Sequence, residues 1–179
     1  KLLLIFNMKI YIFSREQFVT LMKKENIDDT NIESKTDIAI ISIRGKIDDN
    51  PHYFTTNHYN VLNMTFDDIT FEDDIYKAIT RDQAKEIYNF IKTNINKGVK
   101  QFLIHCAAGI SRSGAVGQFI NDFYGSENFE IINRHINPNC RVYRYLCDEA
   151  TNDGVFSYKY KSKIKNEVKN DENLNEIYF

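Results

Sequence analysis

The chain has 179 residues, 42% of them hydrophobic and 27% charged, with a net charge of −2. That length suits one domain with a real core, and the balance of charge excludes a nucleic-acid surface driven by bulk positive charge. Three cysteines, Cys106, Cys140 and Cys147, supply no disulfide framework and fit a reducing, cytoplasmic setting, and no Cys/His spacing resembles a zinc site.

The opening segment from Lys1 to Phe13 is apolar but broken by Asn7 and Lys9. It is too short for a membrane span, which takes about 20 residues, and no small-residue cleavage site follows it. It reads as a strand over Ile10–Phe13. Ser14 then looks like a helix N-cap, with Gln17 completing a capping box, and Phe18, Leu21 and Met22 give an apolar stripe that ends near Lys24. Residues 37–43 (Asp-Ile-Ala-Ile-Ile-Ser-Ile) predict a strand buried on both faces. Tyr59–Phe66 alternates, with Leu62, Met64 and Phe66 on one face, and runs into Asp67-Asp68. Thr80 and Gln83 repeat the capping box before a helix that carries Ala84, Ile87, Tyr88 and Ile91 inward and stops near Gly98.

Val99–His105 is the next strand. A helix over Ser113–Tyr124 follows, with Val116, Phe119, Ile120 and Phe123 inward and Gly125 at its C-terminal cap. Two more helical stretches are expected around Glu127–Arg134 and Arg141–Glu149, separated by Asn137-Pro138, because the residue before proline is pushed out of the helical region. Strands alternating with helices predict an α/β domain with a central, mostly parallel sheet of four or five strands flanked by helices. The expected division is one domain over residues 1–157 and a Lys/Asn-rich helix or tail over 158–179, where Tyr160, Ile164 and Val168 recur at helical spacing beside Lys159, Lys161, Lys163 and Lys165.

The chemistry concentrates between strand and helix, in His105-Cys106-Ala107-Ala108-Gly109-Ile110-Ser111-Arg112-Ser113-Gly114. A thiol in a tight loop at a helix N-terminus meets unpaired N–H groups and the positive end of the helix dipole. Such a loop binds a tetrahedral oxyanion and lowers a thiol's pKa for the same reason. A free cysteine near pKa 8.5 is only about 3% thiolate at neutral pH, and lowering it to roughly 5.5 takes about 4 kcal/mol. Arg112 has a planar fork that matches two oxygens of a phosphoryl group. Ser113 offers a hydroxyl to the sulfur, and Gly109 permits a positive φ or a close backbone approach. His105 either orients the loop or is simply packed.

The pattern H-C-x-x-G-x-x-R-S resembles the signature of the cysteine-dependent protein tyrosine phosphatases, and its inner Ala108-Gly109-Ile110-Ser111-Arg112-Ser113 is most similar to the dual-specificity branch. A second likeness lies at Ile136-Asn137-Pro138-Asn139 followed by Leu146, with Cys140-Arg141 standing where many members have a glycine. The resemblance spans about residues 37–148 and implies a protein tyrosine phosphatase-like fold. It implies Cys106 as nucleophile and Arg112 with Ser113 as catalytic partners, and a phosphate cradle from Ala107, Ala108, Gly109, Ile110, Ser111 and Arg112. An acid must also protonate the leaving oxygen. The family pattern L-x-I-x-x-x-D, read over Leu62–Asp68 with Met64 for Ile, selects Asp68. Asp67 is the runner-up, then Glu72, Asp73 and Asp74. The strand before these acids is expected to neighbour the strand that feeds the loop.

The resemblance thus implies a monomeric protein phosphatase that hydrolyses phosphotyrosine, and by extension phosphoserine and phosphothreonine, through a phosphocysteine. It needs no metal or cofactor, no nucleic acid and no membrane span; its partner is the phosphorylated protein. A protective disulfide from an oxidised Cys106 to Cys140 or Cys147 is a minor alternative. The rivals are a phosphatase for a non-protein ester, such as an RNA 5′-phosphate or a phosphoinositide, and a catalytically silent phosphate-binding module. Phosphoinositide-directed relatives usually carry lysines where this loop has Ala107, Ala108 and Ile110.

Overall fold

A computed structural model describes residues 8–48, 50–125, 130–131 and 135–157. Five strands form one sheet in the order β3-β2-β4-β1-β5: β1 (Lys9–Ser14), β2 (Ile38–Arg44), β3 (Val61–Thr65), β4 (Gln101–Cys106) and β5 (Glu130–Ile131). Every pairing is parallel, as the continuous apolar runs of β2 and β4 require. The helices are α1 (Arg15–Lys24), α2 (Arg81–Asn96), α3 (Arg112–Tyr124) and α4 (Cys140–Asn152), with a 3₁₀ turn at Ile32–Ser34.

Both expected capping boxes are present, and they fix where α1 and α2 begin. Ser14 Oγ accepts from Gln17 N while Gln17 Oε1 accepts from Ser14 N, and Thr80 and Gln83 repeat the exchange. The two faces of the sheet are buried separately, because successive side chains of a strand point to opposite sides. Ala39, Ile41 and Ile43 of β2 with Phe102, Ile104 and Cys106 of β4 join Ile87, Ile91, Val116, Phe119, Ile120, Val142 and Leu146 in the larger cluster, against α2, α3 and α4. Ile40 and Leu103 turn the other way, onto Phe18 and Met22 of α1 and onto Ile32 and Phe54. Among the described residues no helix is long and apolar enough to cross a membrane.

Two expectations are corrected. Residues 130–131, within the stretch expected to be helical around Glu127–Arg134, form the edge strand β5 against Lys9 and Ile10 of β1. An open sheet edge offered that segment backbone partners, and non-local pairing overrode its local preference. The strand before the acids, β3, does not neighbour β4: β2 lies between them. Leu62, Met64 and Phe66 do share the face packed on α2–α4. Gly125 is the C-cap of α3, with an extended backbone at φ −62° and ψ 143°; a Cβ there would stand 1.9 Å from Asn121 O. The segments at residues 1–7 and 158–179, which carry the opening apolar run and the Lys/Asn-rich tail, lie outside the described residues.

Candidate active site

Because the sheet is parallel, the segments leaving β1, β2, β3 and β4 open at one end, where such folds gather ligand-contacting groups. Cys106 is the last residue of β4 and Arg112 the first of α3, so residues 107–111 make the whole turn. Gly109 has φ +73°, and a Cβ on it would sit 2.4 Å from Phe13 C and Ser14 N at the β1–α1 corner. Both its left-handed backbone and its closeness to that corner demand glycine. The loop's carbonyls are pinned from outside. Ala107 O accepts from Arg15 N (3.1 Å), Ile110 O from Asn137 N (3.2 Å), and Ser111 O from Asn139 N (3.1 Å) and Ala115 N (2.9 Å). In a trans peptide the N–H is antiparallel to the carbonyl, so each pinned carbonyl turns the next residue's N–H (Ala108, Ser111, Arg112) away from that brace.

Cys106, Arg112 and Ser113 are all buried. Cys106 Sγ lies 3.1 Å from Ser113 Oγ. Burial pushes the Cys106 thiol up, but the Ser113 hydroxyl and backbone, the Arg112 charge and the Gly109 backbone pull harder, and the net shift is below the ordinary thiol value. Arg112 Nη1 donates to Phe66 O at 2.8 Å, while its Nε is buried without a hydrogen-bond partner. A buried donor left so is expensive unless an acceptor meets it, and an oxyanion held at the loop would supply one. The arrangement can therefore stabilise a thiolate and coordinate a tetrahedral anion beside it.

The adjacent carboxylates have parted company. Asp67 is buried: Oδ1 accepts from Lys46 N (2.8 Å), Oδ2 from Lys77 N (2.7 Å), and its own N–H donates to Lys77 O (2.7 Å). It ties the segment after β2 to the far end of the loop over 66–80. Asp68 is exposed, and its Oδ1 accepts from Ser111 Oγ (2.7 Å) and Asn139 Nδ2 (2.8 Å). Thus Ser111, expected only as part of the cradle, also holds Asp68 to the loop. Glu72 pairs with Arg141, and Asp73 Oδ1 caps its own turn by accepting from Ile75 N and Tyr76 N.

Asn139 is the residue whose work the sequence reading did not assign. Its Oδ1 accepts from Arg141 N and Val142 N, capping α4, while its amide reaches Asp68 and Ile69 O. An asparagine two residues before the helical pattern at Arg141 was the available signal for the cap; the bond to Asp68, 71 residues away in sequence, had none. His105 resolves as a packed residue. Its ring stacks on Phe18 at 4.2 Å, and burial, with the charges of Arg15 and His52, holds it neutral at a pKa of about 3 against a weaker pull from the Cys106 backbone. Cys140 and Cys147 are free, and burial pushes Cys147 up to about 11.

No family model and no curated protein matches the chain. Solved structures similar to it include the human tyrosine phosphatase-like serine/threonine/tyrosine-interacting protein, with a TM-score of 0.44 and 21% identity over 77% of this chain and 85% of that one. The PTP-2 phosphatase of Cydia pomonella is similar with a TM-score of 0.46 and 18% identity over 75% and 80% of the two chains. Tk-PTP in its active form has a TM-score of 0.32 and 19% identity over 69% and 72%.

Proposed function

We propose that the chain is a cysteine-dependent phosphomonoesterase that acts on phosphotyrosine in proteins, and on phosphoserine and phosphothreonine by the same route. The observation that carries the reading is the Ser111–Asp68 hydrogen bond, which keeps an exposed carboxylate on the rim of the loop that holds the Cys106 thiol and the Arg112 guanidinium. A silent phosphate-binding module has no use for that combination of a lowered thiol and a tethered acid.

In this mechanism the Cys106 thiolate attacks phosphorus in line. A sulfur–phosphorus bond forms as the bond from phosphorus to the ester oxygen breaks, and protonated Asp68 gives its proton to that leaving oxygen. Arg112 and the loop amides hold the three remaining oxygens and favour the charge of the transition state. Water then attacks the phosphocysteine, Asp68 takes its proton, and inorganic phosphate leaves the regenerated thiolate. Ser113 donates to the sulfur whenever it is anionic.

Hydrolysis of p-nitrophenyl phosphate by wild type and by Cys106→Ser tests the proposal. The variant is expected to lose at least about 10⁴-fold in kcat, since a unit built around a nucleophile fails when that atom is removed. Equal rates would reject the enzyme.

A further inference from the structure

Seven large hydrophobic side chains stand exposed among the described residues, and five of them, Ile47, Phe71, Ile75, Tyr76 and Ile110, lie on the three segments that leave the site end of β2, β3 and β4. Their exposure runs from 43% for Ile110 to 67% for Ile75. Singly such residues need no explanation, but their concentration round one opening does. Each is tied closely to the candidate site. Ile110 belongs to the Cys106 loop, and its carbonyl is held by Asn137. Ile47 is two residues from Gly45, whose Cβ position is 2.9 Å from Asp67 Oδ1 and 3.8 Å from Arg112 Nη1. Phe71 is three residues past Asp68, and Ile75 and Tyr76 directly precede Lys77, whose N–H binds Asp67.

Most carboxylates among these apolar groups are buried or meet a cation, and Asp68 and Asp74 are the exposed acids that stand at the edge. The described residues of segments 45–50, 66–80 and 107–111 contain six carboxylates and two lysines; Asp48 also faces Arg15 and Arg44, and Asp73 faces Lys77. Asp67 is buried and Glu72 is paired with Arg141, but Asp74 is exposed beside Ile75. The segment over 66–80 is also braced, by Arg141 to Glu72 and Ile79 O, by Asn139 to Ile69 O, and by the turn capped by Asp73. Its apolar groups are therefore presented on a fixed backbone, which lowers the ordering cost of binding.

We infer that Ile47, Phe71, Ile75, Tyr76 and Ile110 form an apolar, acid-edged rim that selects phosphorylated protein segments with apolar and basic side chains beside the phosphoresidue. The inference rests on the phosphatase reading and names its substrate class. A phosphate of a polyanion would reach the loop only by bringing further negative charge against this edge, whereas a chain with one phosphate and leucine or arginine neighbours meets apolar contact and opposite charge.

Three phosphotyrosine peptides, identical except for Leu/Arg, Ser/Gly or Asp/Glu flanks, and a 5′-phosphorylated RNA hexamer test it. Wild type is expected to favour the Leu/Arg peptide over the Asp/Glu peptide by about tenfold or more in kcat/KM, a factor the burial of one rim side chain can supply. In Phe71→Ser/Ile75→Ser, the kcat/KM for the Leu/Arg peptide divided by that for p-nitrophenyl phosphate is expected to fall about fivefold or more on the same grounds. An unchanged ratio, equal use of the three peptides, or faster turnover of the RNA would overturn the rim. Fluorescence anisotropy of the labelled peptides on Cys106→Ser separates the two readings. Flank-dependent binding without wild-type turnover sinks the phosphatase and keeps the rim; turnover without flank dependence does the reverse.

Discussion

Two loops meet at the site end of the sheet, and they are built on opposite plans. The one over 106–112 is made from its backbone: its carbonyls are pinned outward, its glycine is wedged against Phe13 and Ser14, and its cysteine and arginine are buried. The one over 66–80 is held by side chains reaching in from elsewhere, from Arg112, Asn139, Arg141 and Gln83 (which donates to Thr65 O at its base), and it leaves Asp68 exposed. The first plan fixes the loop's backbone and leaves little freedom of sequence. The second gives a scaffold held without its exposed apolar side chains, in which a single carboxylate, Asp68, keeps its place at the loop. An enzyme of the proposed kind needs both, a fixed electrostatic pocket and a proton donor at its lip.

The sharpest way to break that division is through the adjacent acids. Asp68→Asn removes the proposed proton donor and leaves a side chain that still accepts from Ser111. The kcat for phenyl phosphate, whose leaving group needs a proton, is expected to fall about 10³-fold, within the usual range for a general acid, and the loss should be smaller with p-nitrophenyl phosphate. Asp67→Ala instead leaves the N–H groups of Lys46 and Lys77 without an acceptor. Each such group is worth about 1–3 kcal/mol, so thermal denaturation should register it strongly. Larger loss of turnover in a folded Asp67→Ala than in Asp68→Asn would exchange their roles.

Arg112→Lys comes next. It keeps a charge but removes both the fork and the donor to Phe66 O. The kcat is expected to drop about 10²-fold, the scale of losing one oxyanion donor. Since Arg112 touches both loops, the pH profile and the leaving-group dependence should change together, which an effect confined to the cradle would not produce.

Ser113→Ala tests the cradle alone. The thiolate is the reactive form, so the acid limb of kcat/KM reports where Cys106 ionises. With the pKa lowered in the native site, that limb lies below the position of an ordinary thiol, and activity rises as pH increases through it. Removing the hydroxyl donor weakens only the anion, so the limb should move to higher pH. A hydrogen bond to a charged group is worth about 1.5–3 kcal/mol, equivalent to about one to two pH units. A limb that stays put would mean that Arg112 and the backbone carry the shift by themselves.

How much of this was legible in the sequence follows the same two plans. The course of the loop was readable because its determinants are contiguous: a strand ending at Cys106, a turn at Gly109 and a helix from Arg112. So were the capping boxes at Ser14 and Thr80, whose partners lie three residues away. What failed were non-local facts. Residues 130–131 carry no local mark of an edge strand, because their partners are Lys9 and Ile10. The position of β2 between β3 and β4 depends on which helices cover which face. The bracing of residues 66–80 depends on donors from α3 and α4. The pair Asp67-Asp68 could be ordered only through a family pattern, since burial, which separates them, is not written in two adjacent aspartates.

The smallest effect is expected at Asn139, and it joins the two plans. Its Oδ1 caps α4 while its amide holds Asp68 and Ile69 O. Asn139→Ala should remove both functions, with about 1 kcal/mol lost from the cap. Asn139→Asp separates them. Aspartate caps a helix as well as asparagine and suits the positive end of the dipole, so α4 keeps its cap and any fall in melting temperature reports the lost amide contacts to Asp68 and Ile69 O. The substitution nevertheless replaces the donor to Asp68 with a like charge, which displaces that carboxylate from Ser111. Turnover of phenyl phosphate is expected to fall about threefold to tenfold, corresponding to about 0.7–1.4 kcal/mol. Full activity would leave Asn139 with a structural role and nothing more. An intact fold with reduced turnover, most marked for leaving groups that need a proton, would make it the residue through which α4 positions Asp68.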